Sequence, residues 1–271
     1  MEPTRPRPWG QLPDAQARGV IGVLTDIDDT LTTLGAITPE ALEALARLRA
    51  AGLPVIAVTG RPMGWSLPFA QAPAAGGWPI DAIVAENGAV ALFRERGALC
   101  IEYAQDEATR ARNSVRLREA AARVLREVPG STLARDSDGR VTDIAVDHAE
   151  FARLSAAQIG RVVQVMRAEG MNATVSSIHV NGWFGEHTKL SGARWIVERR
   201  LYRALDAETA RWVYVGDSPN DQLMFEHFPL SVGVANLMTF EAELRVWPAF
   251  ITQAARGAGF AEVAQRLIAG R

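Results

Sequence analysis

Three aspartates crowd together near the N-terminus, in the run Thr25-Asp26-Ile27-Asp28-Asp29-Thr30. They follow directly on the apolar, β-branched stretch 20–24. Like charges this close repel one another unless a cation, a proton or a reaction makes use of them. A second acidic run, Gly216-Asp217-Ser218-Pro219-Asn220-Asp221, also follows an apolar stretch, 212–215. The two runs predict one site at which carboxylates from distant parts of the chain converge on a divalent cation.

Carboxylate oxygens are hard ligands and favour Mg²⁺, which keeps several waters and usually takes one or two protein carboxylates together with a phosphate. The four histidines, at positions 148, 179, 187 and 227, show no paired spacing typical of a zinc site. The predicted cofactor is therefore Mg²⁺. A phosphate on the substrate would complete its coordination shell, so the predicted partner is a small phosphorylated metabolite.

The elements that would position these acids form a parallel α/β pattern. A strand of almost only apolar residues, as over 20–24, is typical of sheets buried on both faces. Thr38-Pro39-Glu40 then supplies a helix N-cap and a proline at the first helical position. The next apolar strand, 53–58, ends at Thr59-Gly60-Arg61. Strand, helix and strand in this order predict a βαβ unit, whose ligands lie outside the carboxyl ends of the strands.

The pattern changes after Glu86-Asn87-Gly88, which ends a third buried strand, and returns near Thr188. Between them we predict a hairpin (89–93 and 98–103), helices (107–128 and 156–170), a strand (141–146) and a last strand (173–180) before the turn residues Asn181-Gly182. After them we predict a helix (190–205), strands (212–215 and 231–234) and a final helix (260–268). The expected organisation is a polar tail containing Pro and Arg (1–19), an α/β core (20–88 and 185–271) and an inserted α+β module (89–184).

Composition narrows the class of protein. The chain has 271 residues, 48% of them hydrophobic, and a formal net charge of -2, which gives no general attraction to nucleic acid or to acidic membranes. Its single Cys100 allows no internal disulfide, and no apolar run approaches the length of a membrane span. Residues 1–18 lack the apolar segment of a secretory signal. We expect a cytoplasmic protein; its oligomeric state stays open.

Four short motifs, in order, resemble those of the haloacid dehalogenase (HAD) superfamily. They are Asp-x-Asp-x-Thr at 26–30, Thr59 after the second strand, Lys189 opening a helix, and Gly-Asp-x-x-x-Asp at 216–221. The resemblance covers nearly the whole chain from Ile21. It implies a Rossmann-like parallel-sheet core with an inserted cap domain.

The insertion lies between the second and third motifs and is rich in strands, which is similar to a C2B cap and thus to subfamily IIB. That branch holds the Cof-like, sucrose-phosphate, trehalose-phosphate and mannosyl-phosphoglycerate phosphatases. The run Thr59-Gly60-Arg61 departs from what we expect of the last of these.

The resemblance also implies a role for each motif residue. Asp26 would be the nucleophile, forming an aspartyl-phosphate, and a metal ligand. Asp28 would be the general acid and then the base, with its backbone carbonyl on the metal. Asp217 would be a further metal ligand. Thr59 and Lys189 would act on the phosphoryl oxygens, Lys189 also offsetting their negative charge.

The remaining candidate residues would orient the site or bind substrate. Asp221 is assigned to the metal site, where with Asn220 it would orient Lys189 and the metal shell. Gly60, Arg61 and Asn220 are substrate-binding candidates, although Arg61 is as well placed to pair with a carboxylate. Asp29 stands where many relatives have glycine; it is expected to face away from the metal or to cap a turn.

The function predicted from these residues is hydrolysis of a small phosphomonoester, with a sugar phosphate favoured, by a Mg²⁺-dependent phosphatase. A phosphomutase of the phosphomannomutase type is the nearest alternative, because it shares the nucleophile and differs in the acceptor. A non-catalytic protein that binds phosphorylated metabolites is the other. The intact Asp28 argues against it, since binding alone needs no general acid.

Overall fold

The structure, a computed structural model, describes residues 5–269 and 271. Its strands are β1 Arg7–Pro8, β2 Gly22–Thr25, β3 Thr32–Thr33, β4 Ala36–Ile37, β5 Val55–Val58, β6 Ala82–Ala85, β7 Val90–Glu95, β8 Ala98–Tyr103, β9 Thr132–Leu133, β10 Asp143–Asp147, β11 Asn172–Val175, β12 His179–Trp183, β13 Trp212–Gly216, β14 Leu230–Gly233 and β15 Phe250–Ile251. Its α-helices are α1 Asp14–Gly19, α2 Pro39–Ala50, α3 Met63–Ser66, α4 Glu107–Glu127, α5 Ala156–Ala168, α6 Lys189–Leu201, α7 Gln222–His227 and α8 Arg256–Ile268.

The core is a nine-stranded sheet in the order β1-β15-β14-β13-β2-β5-β6-β7-β8. All neighbours are parallel except β6 with β7 and β7 with β8. Every residue of β2, β5 and β13 is buried, as the apolar runs predicted. The expected α/β fold with a mainly parallel central sheet is confirmed.

Helices cover both faces of this sheet. Alternate residues of a strand point to opposite faces, so Val23 packs with Leu45 of α2 and Phe260 of α8 on one side. Leu24 packs with Ile196 of α6 on the other. Since both faces are closed by helices, the open edge at the strands' carboxyl ends is where a ligand can reach the sheet.

The inserted module is a separate four-stranded antiparallel sheet in the order β11-β12-β10-β9, with α4 and α5 against one face. Val146 and Val180 of the sheet pack with Leu117 of α4 and Val165 of α5. Both helices were predicted from their periodicity. The module has the α+β character expected of the cap.

Strands β7 and β8 correspond to the hairpin with which the predicted cap (89–184) begins. The hairpin β7–β8 pairs with core strand β6, from Ala82 opposite Phe93 to Ala85 opposite Val90, and so extends the core sheet. Val90 and Phe93 are both buried although they point to opposite faces, which is the signature of a strand inside the core. We therefore propose that the cap comprises residues 104–184.

The last predicted strand of the cap is wrong, because 173–180 contains a turn. The Ser176 hydroxyl accepts hydrogen bonds from the N–H groups of Ile178 and His179 (3.3 and 3.0 Å), which reverses the chain between β11 and β12. The supposed turn residue Gly182 lies inside β12. A Cβ there would stand 2.7 Å from Met166 Sδ, so this glycine lets α5 pack closely on the sheet.

The structure describes the expected polar tail from Arg5 onward; residues 1–4 of it lie outside the described residues. Strand β1 pairs with β15 at the sheet edge. Trp9 is 0% exposed and meets Phe250 edge to face, with 5.4 Å between ring centroids. Burial of Trp9 and Leu12 outweighs the polar character of their neighbours, since large apolar side chains gain about 1.5–3 kcal/mol each when removed from water.

Within the described part of the chain, no helix has both the length and the apolar character that crossing a membrane requires.

Candidate active site

The carboxyl ends of three adjacent strands bring the motifs together. In the sheet register Thr25 of β2 lies between Ala57 of β5 and Val215 of β13. Asp26, Thr59 and Asp217 follow these strands within two residues, so their side chains emerge at one edge. Helix α6 brings Lys189 to the same edge. The structure thus unites residues from all four motifs.

Lys189 lies between two carboxylates. Its Nζ is 2.9 Å from Asp26 Oδ2 and 2.8 Å from Asp221 Oδ1, and the residue is 4% exposed. It is the first residue of α6, where the helix dipole disfavours a cation. Burial opposes its charge, but Asp221 and Asp26 outweigh burial and raise the pKa of Lys189 above its usual value. The ammonium is therefore a fixed positive charge beside Asp26.

The amino-acid composition alone distinguishes Lys189, a signal that the sequence interpretation did not use. Of the 29 lysines and arginines in the chain, Lys189 is the only lysine. An ammonium is a compact point charge, whereas guanidinium is a wide planar fork. The gap between Asp26 and Asp221 suits the compact group, which gives a physical reason for the one departure from arginine.

Asp221 fixes the position of Lys189. Its Oδ1 accepts from Lys189 Nζ and from the Tyr214 hydroxyl (2.5 Å), and its Oδ2 from the N–H groups of Asp217 and Ser218 (2.9 and 3.1 Å). A Cβ at Gly216 would lie 2.5 Å from Asp221 Oδ2, which explains the glycine of this motif. Tyr214 was missed, although a tyrosine within an apolar strand signals a buried hydroxyl that needs a partner.

Asp26, Asp217 and Asp221 form a group that can hold a metal ion: one carboxylate oxygen from each lies within 4.8 Å of the others. Burial, followed by the charges of Asp221 and Asp26, raises the pKa of Asp217 well above its usual range. Burial likewise raises the pKa of Asp26 to about 7 despite Lys189. Three buried carboxylates around one ammonium leave an excess of negative charge. A hard divalent cation fits this all-oxygen donor set.

The Asp28 side chain lies outside that group. Its carboxylate accepts from Arg61 Nε (3.0 Å to each oxygen) and Nη2 (2.8 Å). The buried Arg61 also reaches two cap carboxylates, Asp136 at 3.0 Å and Glu150 at 2.8 Å. Of the two roles considered for Arg61, pairing with carboxylates is the one seen; contact with substrate stays a prediction. The metal contact predicted for the Asp28 backbone carbonyl also stays a prediction.

Glu150 extends the Arg61 network inside the cap. It accepts from His179 Nε2 at 2.9 Å. Burial disfavours its charge, but His179 and Arg61 outweigh burial and lower the pKa of Glu150 to about 2. No local pattern marked Asp136 or Glu150 in the sequence, because each is recruited to Arg61 only by the way the cap closes.

Thr59 and Gly60 lie where the cap meets the core. Thr59 is buried, and its hydroxyl accepts from the N–H of Arg61 at 3.0 Å. The Gly60 carbonyl accepts from two cap side chains, Arg140 at 3.0 Å and Asn181 at 3.2 Å. These contacts hold the cap against the edge that carries Asp26. The substrate-binding roles of Thr59 and Gly60 stay predictions.

A cavity of about 550 Å³ opens beside Lys189 between core and cap. Asn220 and Asn87 line it from the core, and Trp183 and Thr174 from the cap. Its size suits a small metabolite, since ligand pockets span roughly 300–1,000 Å³. The position of Asn220 is compatible with its predicted contact to substrate.

The run Glu86-Asn87-Gly88 joins core strands β6 and β7, and all three of its residues have positive φ (49°, 55° and 111°). The Glu86 carboxylate accepts from the backbone N–H groups of Met63, Val141 and Thr142 and from the Thr142 hydroxyl. One buried carboxylate thereby ties this core segment to Met63 of the core and to Val141 and Thr142 of the cap. Burial raises the pKa of Glu86 to about 7.

Comparison with known proteins agrees with this geometry. The sequence profile of the haloacid dehalogenase-like hydrolases matches residues 23–111. No curated protein sequence matches the chain significantly.

Solved structures share the fold over both domains. The sucrose-phosphatase of Synechocystis sp. PCC6803, crystallised with sucrose and phosphate, has a TM-score of 0.65 at 16% identity, over 92% of this chain and 98% of that one. The 0175 protein of Thermoplasma acidophilum has a TM-score of 0.66 at 16% identity, with the same coverage. The subclass IIB sugar phosphatase BT4131 has a TM-score of 0.60 at 16% identity, over 92% and 99% of the chains.

Likeness at this identity establishes the fold, and the profile match covers the segment that carries Asp26 and Thr59. The ordered motifs, the profile match and the fold of core plus cap agree. Over residues 23–111 the chain matches the haloacid dehalogenase-like hydrolases, and over both domains it shares the fold of the sucrose-phosphatase and of the subclass IIB sugar phosphatase BT4131.

Proposed function

We propose that the protein is a Mg²⁺-dependent phosphatase that hydrolyses a small sugar phosphate through an aspartyl-phosphate. The observation that carries this proposal is the position of Asp26. It stands at the end of the central strand, 2.9 Å from Lys189, grouped with Asp217 and two residues before Asp28. A nucleophile, a cation for the phosphoryl group and a second carboxylate for proton transfer are thus present at one edge.

In the first step a carboxylate oxygen of Asp26 attacks phosphorus, and the bond from phosphorus to the ester oxygen breaks. Asp28 gives its proton to the departing alkoxide. Lys189 offsets the negative charge on the phosphoryl oxygens, and its ammonium is already fixed by Asp221, so little reorganisation is needed.

In the second step water attacks the phosphorus of the aspartyl-phosphate. Asp28, now ionised, takes a proton from that water, and the bond from phosphorus to Asp26 breaks to release inorganic phosphate. Arg61 orients the Asp28 carboxylate by the hydrogen bonds described above. Closure of the cap over the edge limits access of bulk water during the first step.

The Asp26 and Asp217 carboxylates and the Asp28 carbonyl would hold Mg²⁺. The ion supplies positive charge that polarises the phosphoryl group. Asp221 contributes by orienting Lys189, because its oxygens already accept four hydrogen bonds.

Two observations support a sugar phosphate as the substrate class. The lining of the cavity beside Lys189 includes amide and hydroxyl side chains, among them Asn87, Thr174 and Asn220, which can bind sugar hydroxyls. The proteins with the same fold include a sucrose-phosphatase and a sugar phosphatase.

Asp26→Asn tests the nucleophile. We expect kcat for p-nitrophenyl phosphate to fall at least roughly a thousandfold, with an unchanged circular dichroism spectrum. Asp206→Asn, which removes an exposed carboxylate (57% of its side chain), is the control and should keep full activity. Full activity in Asp26→Asn would contradict the assignment.

A panel of hexose phosphates with product analysis tests the reaction type. Release of inorganic phosphate identifies a phosphatase, and a rearranged hexose phosphate identifies a mutase. Turnover of neither, together with tight binding of phosphate esters, identifies a binding protein.

A further inference from the structure

Asn236 joins two loops of the site that the motifs do not connect. It is the second residue of the 3-10 segment Ala235–Glu243, which follows β14. Its side-chain N–H donates to the Asp217 carboxylate at 3.3 Å and to the Asp29 carbonyl at 3.0 Å. One amide group therefore holds an aspartate of the metal group and the backbone that directly follows Asp28.

The same asparagine is itself held from a fourth part of the chain. Its Oδ1 accepts from the N–H of Arg256 at 2.8 Å, and Arg256 Nε donates to Asp29 Oδ1 at 2.8 Å. Asp29, Asn236 and Arg256 thus form a closed ring of contacts beside Asp217. Arg256 is the first residue of α8, so the ring connects the site to a helix of the core.

The ring explains two unusual backbone conformations. Asp29 and Arg256 have φ values of 53° and 55°, in the left-handed region that few residues other than glycine adopt. Such conformations persist where the surroundings fix them. Here the Asp29–Arg256 ion pair and the two hydrogen bonds of Asn236 provide that constraint.

We propose that Asn236, supported by Arg256 and Asp29, is a positioning residue that prepares the site for the metal ion. It sets the Asp217 carboxylate and the turn after Asp28 at a fixed separation, so that their oxygens face one ion without rearrangement. Only an amide can do this, because the position requires a donor to two oxygens and an acceptor for the Arg256 N–H. The proposal rests on the metal site of the proposed function.

Calorimetric titration of the full chain with Mg²⁺ alone tests the proposal without turnover. Asn236→Ala removes both donated hydrogen bonds, and Asn236→Ser keeps a polar side chain too short to reach both partners. We expect each variant to raise the Kd for Mg²⁺ by about 10- to 100-fold, the usual effect of removing a residue that orients a metal ligand. Met238→Ala, an exposed position on the same segment, should leave the Kd unchanged.

Thermal unfolding in EDTA separates positioning from stability. The proposal requires Asn236→Ala to unfold within a few degrees of wild type without metal while its Kd rises. An unchanged Kd in both Asn236 variants would overturn the positioning role of Asn236 and leave the metal site intact. Absence of Mg²⁺ binding to the wild type would overturn the metal site, and with it the positioning role.

Discussion

Replacing Lys189 with methionine offers a quantitative test of the charge balance at the site. Methionine keeps the approximate length and volume of the side chain and removes the ammonium. Asp26 and Asp221 then lose a cation at 2.9 and 2.8 Å, and the buried acidic group keeps no positive charge. Removing one partner of a buried ion pair costs about 3–5 kcal/mol.

The loss of stability in Lys189→Met has an upper bound that depends on pH. A carboxylate left without a cation can take up a proton, which from an ordinary aspartate pKa of about 3.9 costs about 1.36 kcal/mol per pH unit. At pH 7 this amounts to about 4 kcal/mol, and at pH 5 to about 1.5 kcal/mol. Because a carboxyl kept neutral in the folded state has a raised pKa, its contribution to stability is lost as the pH rises. The destabilisation by Lys189→Met should therefore shrink between pH 7 and pH 5.

The measurement is urea unfolding in EDTA, followed by tryptophan fluorescence at both pH values. Arg194→Met is the matched control on the same helix, because Arg194 pairs with Asp206 in an exposed ion pair (43% and 57% of the side chains). Such pairs contribute about 0–1 kcal/mol. The reasoning would be refuted if Lys189→Met lowered the free energy of unfolding by no more than Arg194→Met does, or if its effect did not change with pH.

Two further predictions concern the cap and the segment that leads from the cap into α6. Glu150→Gln should raise KM for a phosphate ester more than it lowers kcat, because Arg61 loses a cap carboxylate. The pKa of Glu150 is lowered from 4.5 to about 2. Wild type should therefore be more stable than this variant by the full amount above pH 4.5, and the difference should disappear toward pH 2. An unchanged KM would argue against a cap contact that assists binding. Burial lowers the pKa of His187 to about 4, so the free energy of unfolding should fall as the pH drops from 6.5 to 4. His187→Phe, which preserves stacking on Trp183, should remove this pH dependence. Persistence of the slope in urea unfolding would assign it to another group.

Much of the fold could be predicted from local pattern. Strands 20–24, 53–58 and 212–215 are continuous apolar runs, so their burial on both faces followed from composition alone. The helices over 107–127 and 156–168 followed from periodicity. The errors arose where local signals were ambiguous: Gly182 indicated a turn but serves close packing, and the hairpin of β7 and β8 carried no sign of which sheet it would join.

The candidate site divides in the same way. Asp26 and Asp217 could be identified because each directly follows a buried strand, and the sheet register then brings them together. Glu150 and Asn236 could not, because each meets its partner from a distant part of the chain. Glu150 reaches Arg61 across 89 residues, and Asn236 reaches Asp29 across 207.

The sequence by itself determined the chemistry: which carboxylates follow which strands, the lysine that opens α6, and an insertion between Thr59 and Lys189 large enough to form a cap. Tertiary structure decided which partner and which role each of those groups has. Asp221 orients Lys189, the Asp28 side chain lies with Arg61 and the cap, and Asp29 is drawn away by Arg256. The reason is that charge and strand order are local properties of the chain, whereas the partner of a buried charge depends on which distant surfaces the fold brings within about 3 Å.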